Sequence, residues 1–176
     1  QTKSQLVIQV AGGTSYAERI VLDDSFPAGI RIVAKEGERP VLAPAGSGPL
    51  IKLDGVDRFS LEGFDLNAQG KSTAVELAGF LAACHLKDLR INEFTKVGIL
   101  SNGAGGVGVS DQEVRLEKLE FRAKGAKAVG VKIQQGNTPT SQVKITDCRF
   151  DGPLSVGILL QNSPMFVTVR RSIFAE

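Results

Sequence analysis

The chain has 176 residues, a net charge of +2, 20 Gly, 7 Pro, 2 Cys, 1 His and no Trp. This length suffices for one domain with a substantial core, and the small net charge gives no reason to expect nucleic acid as a partner. A single His excludes a His-rich metal site, two Cys do not make a disulfide framework, and no apolar run is long enough to span a membrane as a helix. We therefore expect no cofactor, no metal site and no membrane insertion by this segment.

The N-terminal part has the pattern of a lead-in to a repeat. IRIVAKEGERPVLA (30–43) predicts a loose first turn of the repeat that follows. We expect residues 1–49 to form a lead-in segment and first irregular coil, and residues 50–176 to form regular coils of the same single domain. Because the chain begins with Gln1 rather than Met and stops after a strand-like segment, we expect it to be a piece of a longer protein.

From residue 50 onward the sequence repeats a unit of three short strands. One strand of each unit, termed the third strand, begins at positions 50, 74, 98, 130 and 157, so the spacings are 24, 24, 32 and 27 residues. The third strands are LIKLDG (50–55), AVELAG (74–79), GILSNG (98–103), GVKIQQG (130–136) and GILLQNS (157–163). After each comes a segment whose first, third, sixth and eighth positions are mostly apolar: FSLEGFDLN (59–67), CHLKDLRIN (84–92), VRLEKLEFR (114–122), VKITDCRFD (143–151) and VTVRRSIFA (167–175). Stacked units of this kind predict an all-β fold, a parallel β-solenoid of about five to six coils with three short strands per coil.

Stacking of the coils places equivalent residues in columns. One inward column is Phe59, Cys84, Val114, Val143 and Val167, and another is Leu66, Ile91, Phe121, Phe150 and Phe174. The outward columns mostly alternate in charge: Asp65, Arg90, Glu120 and Arg149; Glu62, Lys87, Glu117, Thr146 and Arg170; Lys52 and Glu76. Unlike charges on neighbouring strands favour one register, although each exposed pair contributes only about 0.2–1 kcal/mol.

The stretch NGAGGVGVSD (102–111) contains a G-x-G-x-x-G, which binds the phosphates of a dinucleotide when it joins a strand to a helix. Ser110 to Glu113 also has the spacing of a capping box at a helix start. VRLEKLEF (114–121), however, aligns with its sibling segments as strands, so no helix follows the glycines. We therefore interpret residues 103–108 as the enlarged turn of the longest coil and not as a nucleotide site.

Several polar and sulfur-containing residues also have expected places in the repeat. Cys84 and Cys148 lie in different columns two coils apart, so at about 4.8 Å per coil they cannot form a disulfide. We expect both to be small core residues. We expect His85 to point outward in a polar column, and Asn67 and Asn92 to stack as a short amide ladder.

These features and the N-terminal residues resemble the right-handed parallel β-helix superfamily, which has the pectin lyase-like fold. The family's lead-in commonly has a Gly-Thr-Tyr-x-Glu turn and a Gly-Glu-Gly corner. Here the matching stretches are Gly13-Thr-Ser-Tyr16-Ala-Glu18, with an extra Ser, and Lys35-Glu-Gly37. The resemblance covers nearly the whole chain and implies a right-handed coil.

The resemblance also shows what the two ends lack. The family often begins with a capping helix, which has no counterpart before Leu6, and the last coil ends at Phe174 without a cap. An uncapped solenoid end exposes apolar surface and strand edges. We therefore expect the rest of a larger polypeptide, or a second copy, to cover the C-terminal end.

Enzymes of this family act mostly on acidic polysaccharides and place catalytic groups on the third strand and the turn before it. The outward side chains of the third strands are Lys52, Glu76, Leu100, Lys132 and Leu159. One carboxylate makes neither the acid–base pair of a hydrolase nor the calcium cage of a lyase. The doublet Asp23-Asp24 lies in the lead-in segment, and we expect it to lie off this face. We therefore predict no catalytic residue.

Basic residues recur in and around the third strands. Together they predict one basic groove that binds an acidic polysaccharide. The tentative ligand-binding residues are Lys52, Lys71, Lys96, Arg122, Lys124, Lys127 and Lys132. The alternative is that these are solvated residues of exposed turns.

The sequence therefore favours a non-catalytic β-helix scaffold or carbohydrate-recognition module, and the resemblance favours an extracellular or periplasmic location. One alternative is a polysaccharide lyase or glycoside hydrolase whose site is incomplete in this segment. Another is a sensor or spacer domain of a bacterial receptor such as a membrane Ser/Thr kinase, although the chain has no V-A-I-K, H-R-D or D-F-G motif.

Overall fold

The computed structural model of the chain describes residues 6–26, 29–79, 81, 83–102, 113–134, 142–161 and 166–175. These residues form strands, turns and loops and contain no helix. In chain order the strands are β1 Leu6–Val10, β2 Ser15–Tyr16, β3 Ile20–Asp23, β4 Ile30–Ala34, β5 Val41–Leu42, β6 Ile51–Asp54, β7 Arg58–Glu62, β8 Asp65–Asn67, β9 Thr73–Ala78, β10 Ala83–Lys87, β11 Arg90–Phe94, β12 Val97–Asn102, β13 Glu113–Glu117, β14 Glu120–Ala123, β15 Ala128–Gln134, β16 Gln142–Thr146, β17 Arg149–Asp151, β18 Leu154–Gln161, β19 Phe166–Arg170 and β20 Ile173–Phe174.

The strands form three parallel sheets, and successive strands of the chain belong to sheets A, B and C in turn. Sheet A has the order β1-β4-β7-β10-β13-β16-β19, sheet B the order β2-β5-β8-β11-β14-β17-β20, and sheet C the order β3-β6-β9-β12-β15-β18. Each strand inside a sheet therefore pairs with the strands one coil before and one coil after it. This confirms the predicted all-β solenoid with three short strands per coil, in which the third strands form sheet C.

The pairing registers reproduce the predicted columns. Cys84 lies opposite Phe59 in one neighbouring coil and opposite Val114 in the other. The second inward column, which ends at Phe174, is likewise in register throughout sheet B. The lead-in supplies β1 to β5, so it already occupies the first places of all three sheets.

The enlarged turn predicted for residues 103–108 lies outside the described residues. The strand predicted immediately after it is present as β13 and pairs with β10 and β16. The prediction that a strand and not a helix runs from this point is therefore confirmed.

The size of the core side chains changes steadily along the solenoid, and we call this the graded core. Side chains of one sheet B column grow in size towards the C-terminus: Leu42, Leu66, Ile91, Phe121, Phe150 and Phe174. The column across the core in sheet C shrinks in the same direction: Leu50, Ala74, Gly98, Gly130 and Gly157. The three phenyl rings stack with centroids 4.8 Å apart and interplanar angles of 1° and 3°.

The corner between sheets A and B is a stack of residues in the left-handed backbone region. They are Gly63 (φ 85°), Asp88 (φ 50°), Lys118 (φ 54°), Asp147 (φ 56°) and Arg171 (φ 48°). The N–H of Asp88 donates to the carbonyl of Glu117 at 2.9 Å, and the N–H of Lys118 to that of Thr146 at 3.0 Å. Hydrogen bonding between coils therefore continues through the corner, and this explains why non-glycine residues adopt a conformation that normally costs about 1–2 kcal/mol.

Candidate functional site

Four of the predicted basic residues lie where each coil passes from sheet B to sheet C. Lys71 lies between β8 and β9, Lys96 between β11 and β12, and Lys124 and Lys127 between β14 and β15. Backbone hydrogen bonds stack these connections, since the N–H of Lys96 donates to the carbonyl of Ser72 in the preceding coil at 3.0 Å. We call Lys71, Lys96, Lys124 and Lys127 the basic corner.

The exposure of the basic corner is uneven. Lys96, Lys124 and Lys127 are exposed, whereas Lys71 is only 9% exposed. The ammonium group of Lys71 donates to the carbonyl oxygens of Pro44 at 2.5 Å and Ala68 at 3.4 Å. Burial lowers the pKa of Lys71, and the nearby positive charge of Arg19 lowers it further. Lys71 is therefore not a solvated residue of an exposed turn, because the connection of the preceding coil covers it.

The remaining three predicted residues are placed differently. Arg122 lies on β14 in sheet B, two residues before Lys124, and is exposed at the edge of the basic corner. Lys52 and Lys132 lie on the outer face of sheet C, three coils apart in one column, with Glu76 and Leu100 between them. Arg122 thus lies on a strand opposite Asp151, next to the basic corner in the chain. Lys52 and Lys132 lie apart from the corner on sheet C, and the Nζ of Lys52 is 3.8 Å from the carboxylate of Asp54.

Most cations of sheets A and B have carboxylate partners. The Nζ of Lys87 lies 2.8 Å from Glu62, and Arg31 lies 3.2 Å from the same carboxylate. The other pairs are Arg39 with Asp65 and Asp88, Arg90 with Glu120, Arg115 and Lys144 with Glu113, Arg149 with Asp151, and Arg171 with Asp147. By contrast, no residue of the basic corner has an ion pair with a described residue. Its positive charge is therefore uncompensated within the described part of the chain.

The corner between sheets A and B carries a charge ladder that the sequence analysis missed. The guanidinium of Arg171 donates to both carboxylate oxygens of Asp147, at 2.6 and 2.8 Å, and lowers the pKa of Asp147. Asp88 pairs with Arg39 at 2.6 Å, and Lys118 lies between the two carboxylates in the stack. The signal was present in the fifth position of each repeat, where charge alternates from Asp88 onward.

Acidic residues meet on sheet C in a way that the sequence analysis did not foresee. Asp23 is the last residue of β3 and lies in register with Asp54 of β6. The expectation that Asp23 lies off the third-strand face is therefore wrong, because the lead-in contributes its own strand to sheet C. Asp23, Asp24 and Asp54 line a concavity of about 580 Å³ with Gly55 and Gly79. No group of three or more His, Cys, Asp or Glu among the described residues is arranged to hold a metal ion.

His85 and the two cysteines are where the columns placed them. The Nε2 of His85 lies 3.3 Å from the carboxylate of Glu117, a neighbour that the columns did not identify. Cys84 and Cys148 are both free and buried. Burial raises the pKa of Cys84 to about 12 and that of Cys148 to about 11, so neither is a reactive thiol.

The predicted amide ladder is only partly reproduced. Asn67 lies opposite Asn92, but its side-chain oxygen accepts a hydrogen bond from the N–H of Gln69 in the following turn. An amide pair between coils is formed instead on sheet C, where the Nε2 of Gln134 donates to Gln161 at 2.8 Å.

No protein-family model, no curated protein and no solved structure matches the chain. Its strand order and registers define a parallel β-solenoid protein. More particularly, most cations on two of its sheets have carboxylate partners, whereas the basic corner has none among the residues that the structure describes. Within the described ranges, no helix is long and apolar enough to cross a membrane.

Proposed function

We propose that this chain is a non-catalytic β-helix scaffold that binds an acidic polysaccharide along its basic corner. The observation that supports this most directly is the contrast in charge pairing. Lys96, Lys124 and Lys127 are exposed and have no ion pair with a described residue, whereas most cations of sheets A and B do. These lysines lie on two neighbouring coils, about 4.8 Å apart, and so extend along the solenoid axis. A linear polyanion, whose charges also repeat along one axis, suits this arrangement.

Affinity in this arrangement comes from several weak contacts made together. One exposed ion pair contributes about 0–1 kcal/mol, so no single lysine suffices. Contacts on one continuous polymer act together, because the first contact raises the effective concentration for the next. Since the screening length is about 10 Å at 0.1 M salt, we expect moderate salt to release the polymer.

The resemblance to the pectin lyase-like superfamily supports the proposal in a general way. Stacked coils produce an elongated surface, which suits a polymer better than a small ligand. A fold alone does not define a function, so the proposal depends on the basic corner. An extracellular or periplasmic location, where such polymers occur, follows as part of the proposal.

The test is electrophoresis in native gels that contain acidic polysaccharides, with a matched pair of double variants. Lys96→Ala/Lys124→Ala removes two exposed charges from the basic corner. Arg58→Ala/Arg170→Ala removes two exposed charges from sheet A, where neither arginine has an ion pair with a described residue. We expect salt-sensitive retardation of the wild type, loss of retardation in the first variant and little change in the second. Equal loss in both variants would show that net charge, and not the corner, causes retardation.

A second candidate is hydrolysis or lysis of such a polymer at the acidic concavity of sheet C. The register of Asp23 with Asp54 favours it, because glycoside hydrolases use a pair of carboxylates. It predicts reducing or unsaturated ends released from the polysaccharide, and loss of that release in Asp54→Asn. Neither retardation nor release would favour the third alternative, a sensor or spacer domain of a larger receptor.

A further inference from the structure

A polar pocket lies at the N-terminal end of the basic corner. It has a volume of about 390 Å³ and is lined by residues 46–48 and 69–72. These two stretches are connections from sheet B to sheet C in neighbouring coils, between β5 and β6 and between β8 and β9. None of the lining residues is acidic, so the pocket has no negative charge of its own.

Lys71, which lines this pocket, carries a buried positive charge. Its ammonium group has three N–H donors, and two of them are used by the carbonyl oxygens of Pro44 and Ala68. A buried charge normally lies next to an opposite charge, because removing it from water is costly. No described carboxylate lies within ion-pair distance of Lys71.

Arg19 places a second cation against the same loop. Its Nη2 donates to the carbonyl of Ala45 at 2.9 Å. A Cβ on Gly48 would come 3.0 Å from the Nη1 of Arg19, so the glycine allows the loop to fold onto the guanidinium. The two cations repel each other, since the charge of Arg19 disfavours the charged form of Lys71. A bound anion would remove this repulsion.

The loop itself has the backbone form of an anion-binding site. Gly46 and Gly48 have φ values of 78° and 92°, and Ser47 between them is not in the left-handed region. Alternation of this kind turns successive N–H groups towards one side, which creates a concavity for an anion. The N–H groups of residues 46–48 donate no hydrogen bond to any described residue.

We propose that this pocket binds one oxyanion group, a carboxylate or a sulfate ester, through the ammonium of Lys71 and the N–H groups of residues 46–48. The inference rests on the proposed function, since the acidic polysaccharide would carry this group. The bound group would then fix the position of the polymer, and Lys96, Lys124 and Lys127 would contact the part that continues along the solenoid.

The first experiment uses the whole chain and two simple anions. Sodium sulfate and sodium acetate are titrated separately into the ¹⁵N-labelled protein, with sodium chloride replaced so that ionic strength stays constant. We expect saturable shifts of the amide signals of residues 46–48 and 72 with at least one anion. The anion that saturates at the lower concentration identifies the preferred source, sulfate ester or uronate carboxylate.

The second experiment places an anion in the pocket covalently. Ser47 is exposed in the loop that lines the pocket, so substitution there leaves the core intact. Ser47→Asp is expected to abolish the saturable shifts and to raise Tm, because the new carboxylate lies near Lys71 and Arg19, and neither cation has an ion pair with a described residue. Ser47→Asn, which has the same shape without the charge, is expected to bind sulfate or acetate within about threefold of the wild type and to leave Tm unchanged. Lys71→Met is expected to weaken binding about tenfold or more, the effect of losing a charge-assisted hydrogen bond.

Each result either supports or overturns the inference. Absence of saturable shifts in the wild type, or equal shifts in the wild type and Ser47→Asp, would overturn it. If Lys71→Met does not fold, the comparison of Ser47→Asp with Ser47→Asn still decides the question. Saturable sulfate binding without polysaccharide retardation would retain the pocket and reject the proposed function, and the reverse result would reject the pocket alone.

Discussion

A Cβ placed on Gly130 would lie 2.6 Å from the Cδ1 of Phe150, so the ring fills the space that a larger residue in sheet C would need. The same relationship joins Gly98 to Phe121, where the distance would be 2.8 Å, and Gly157 to Phe174. The phenylalanines of sheet B and the glycines of sheet C are therefore complementary, because each ring occupies the space next to a residue that has no side chain.

Gly157→Ala should destabilise the chain by about 1–3 kcal/mol, the usual cost of overpacking a core. Phe174→Leu in the same chain should recover part of this loss, because the three atoms nearest to the added Cβ belong to the rings of Phe174 and Phe150. Urea unfolding of the two single variants and the double variant measures the coupling.

Gly130→Ala is the matched comparison. Its Cβ would also meet the carbonyl oxygen of Gly157 at 2.7 Å, so removing the ring of Phe150 should recover less of the loss. Purely additive effects in both cycles would contradict the paired packing of glycine and phenylalanine.

The corner between sheets A and B predicts an unusual preference for glycine. Lys118 has φ 54°, so Lys118→Gly should be more stable than Lys118→Ala by about 1 kcal/mol. Both variants lose the same charge, which leaves the backbone as the difference. At Ser60, within β7, the order should reverse, because glycine weakens a strand interior. Thermal unfolding of the four variants measures both differences.

Acid should weaken the charge pairs of sheet A. The hydrogen bond from Lys87 does most to lower the pKa of Glu62 below its ordinary value of 4.5, and Arg31 adds to it. Stability from this carboxylate is therefore complete above pH 4.5 and is lost as pH falls through the lowered pKa. Glu62→Gln should have a lower Tm than the wild type at pH 7, and the gap should close towards pH 3. Glu76→Gln, which removes a carboxylate without a described ion pair, should show no such closing gap.

The two thiols should resist modification in the folded chain. Burial keeps Cys84 and Cys148 protonated, with pKa values of about 12 and 11. A disulfide-exchange reagent at pH 8 should therefore react with neither thiol until denaturant unfolds the chain, and then with both. Rapid reaction of one thiol in native buffer would show that its coil opens.

The C-terminal end should associate with a second copy. Phe166 on the last strand of sheet A is 72% exposed, and Ile173 and Phe174 on the last strand of sheet B are more than half exposed. Open edges and apolar side chains together favour strand pairing between copies. Sedimentation velocity should show association that rises with concentration and is suppressed by Phe166→Lys.

Ile8→Lys distinguishes two modes of this association. Ile8 lies at the opposite end and lines an apolar concavity of about 220 Å³. Suppression by Phe166→Lys alone would indicate contact between two C-terminal ends, and suppression by both would indicate head-to-tail stacking. A single monomeric species at all concentrations would contradict the prediction.

Much of the fold could be predicted because a solenoid repeats its own constraints. Ile91 has an apolar equivalent in every coil, so its inward direction follows from a column and not from one ambiguous segment. The graded core is equally visible, since glycine recurs at the first position of the last three third strands and phenylalanine at the eighth position of the last three paired segments. One column alone does not show it, because the size of a side chain has meaning only against its partner across the core.

The site was less predictable because burial at a corner depends on the neighbouring coil. Nothing in the local sequence of Lys71 shows that the carbonyl oxygen of Pro44 lies above it. Asp23 reached sheet C because the irregular lead-in still forms a complete coil, which its weak repeat pattern concealed. Residue type alone predicts a groove that includes Lys52 and Lys132. Their register instead places them in a column that also contains an acidic and an apolar residue.

The graded core also restricts how the chain can evolve by duplication. A copied coil that carries Gly130 and Phe150 would fit among the C-terminal coils, where the same pair recurs. Inserted next to Leu50, the copy would set a phenyl ring against a leucine instead of a glycine. The chain can therefore lengthen at one end of its repeat more easily than at the other, although every coil has the same strand order.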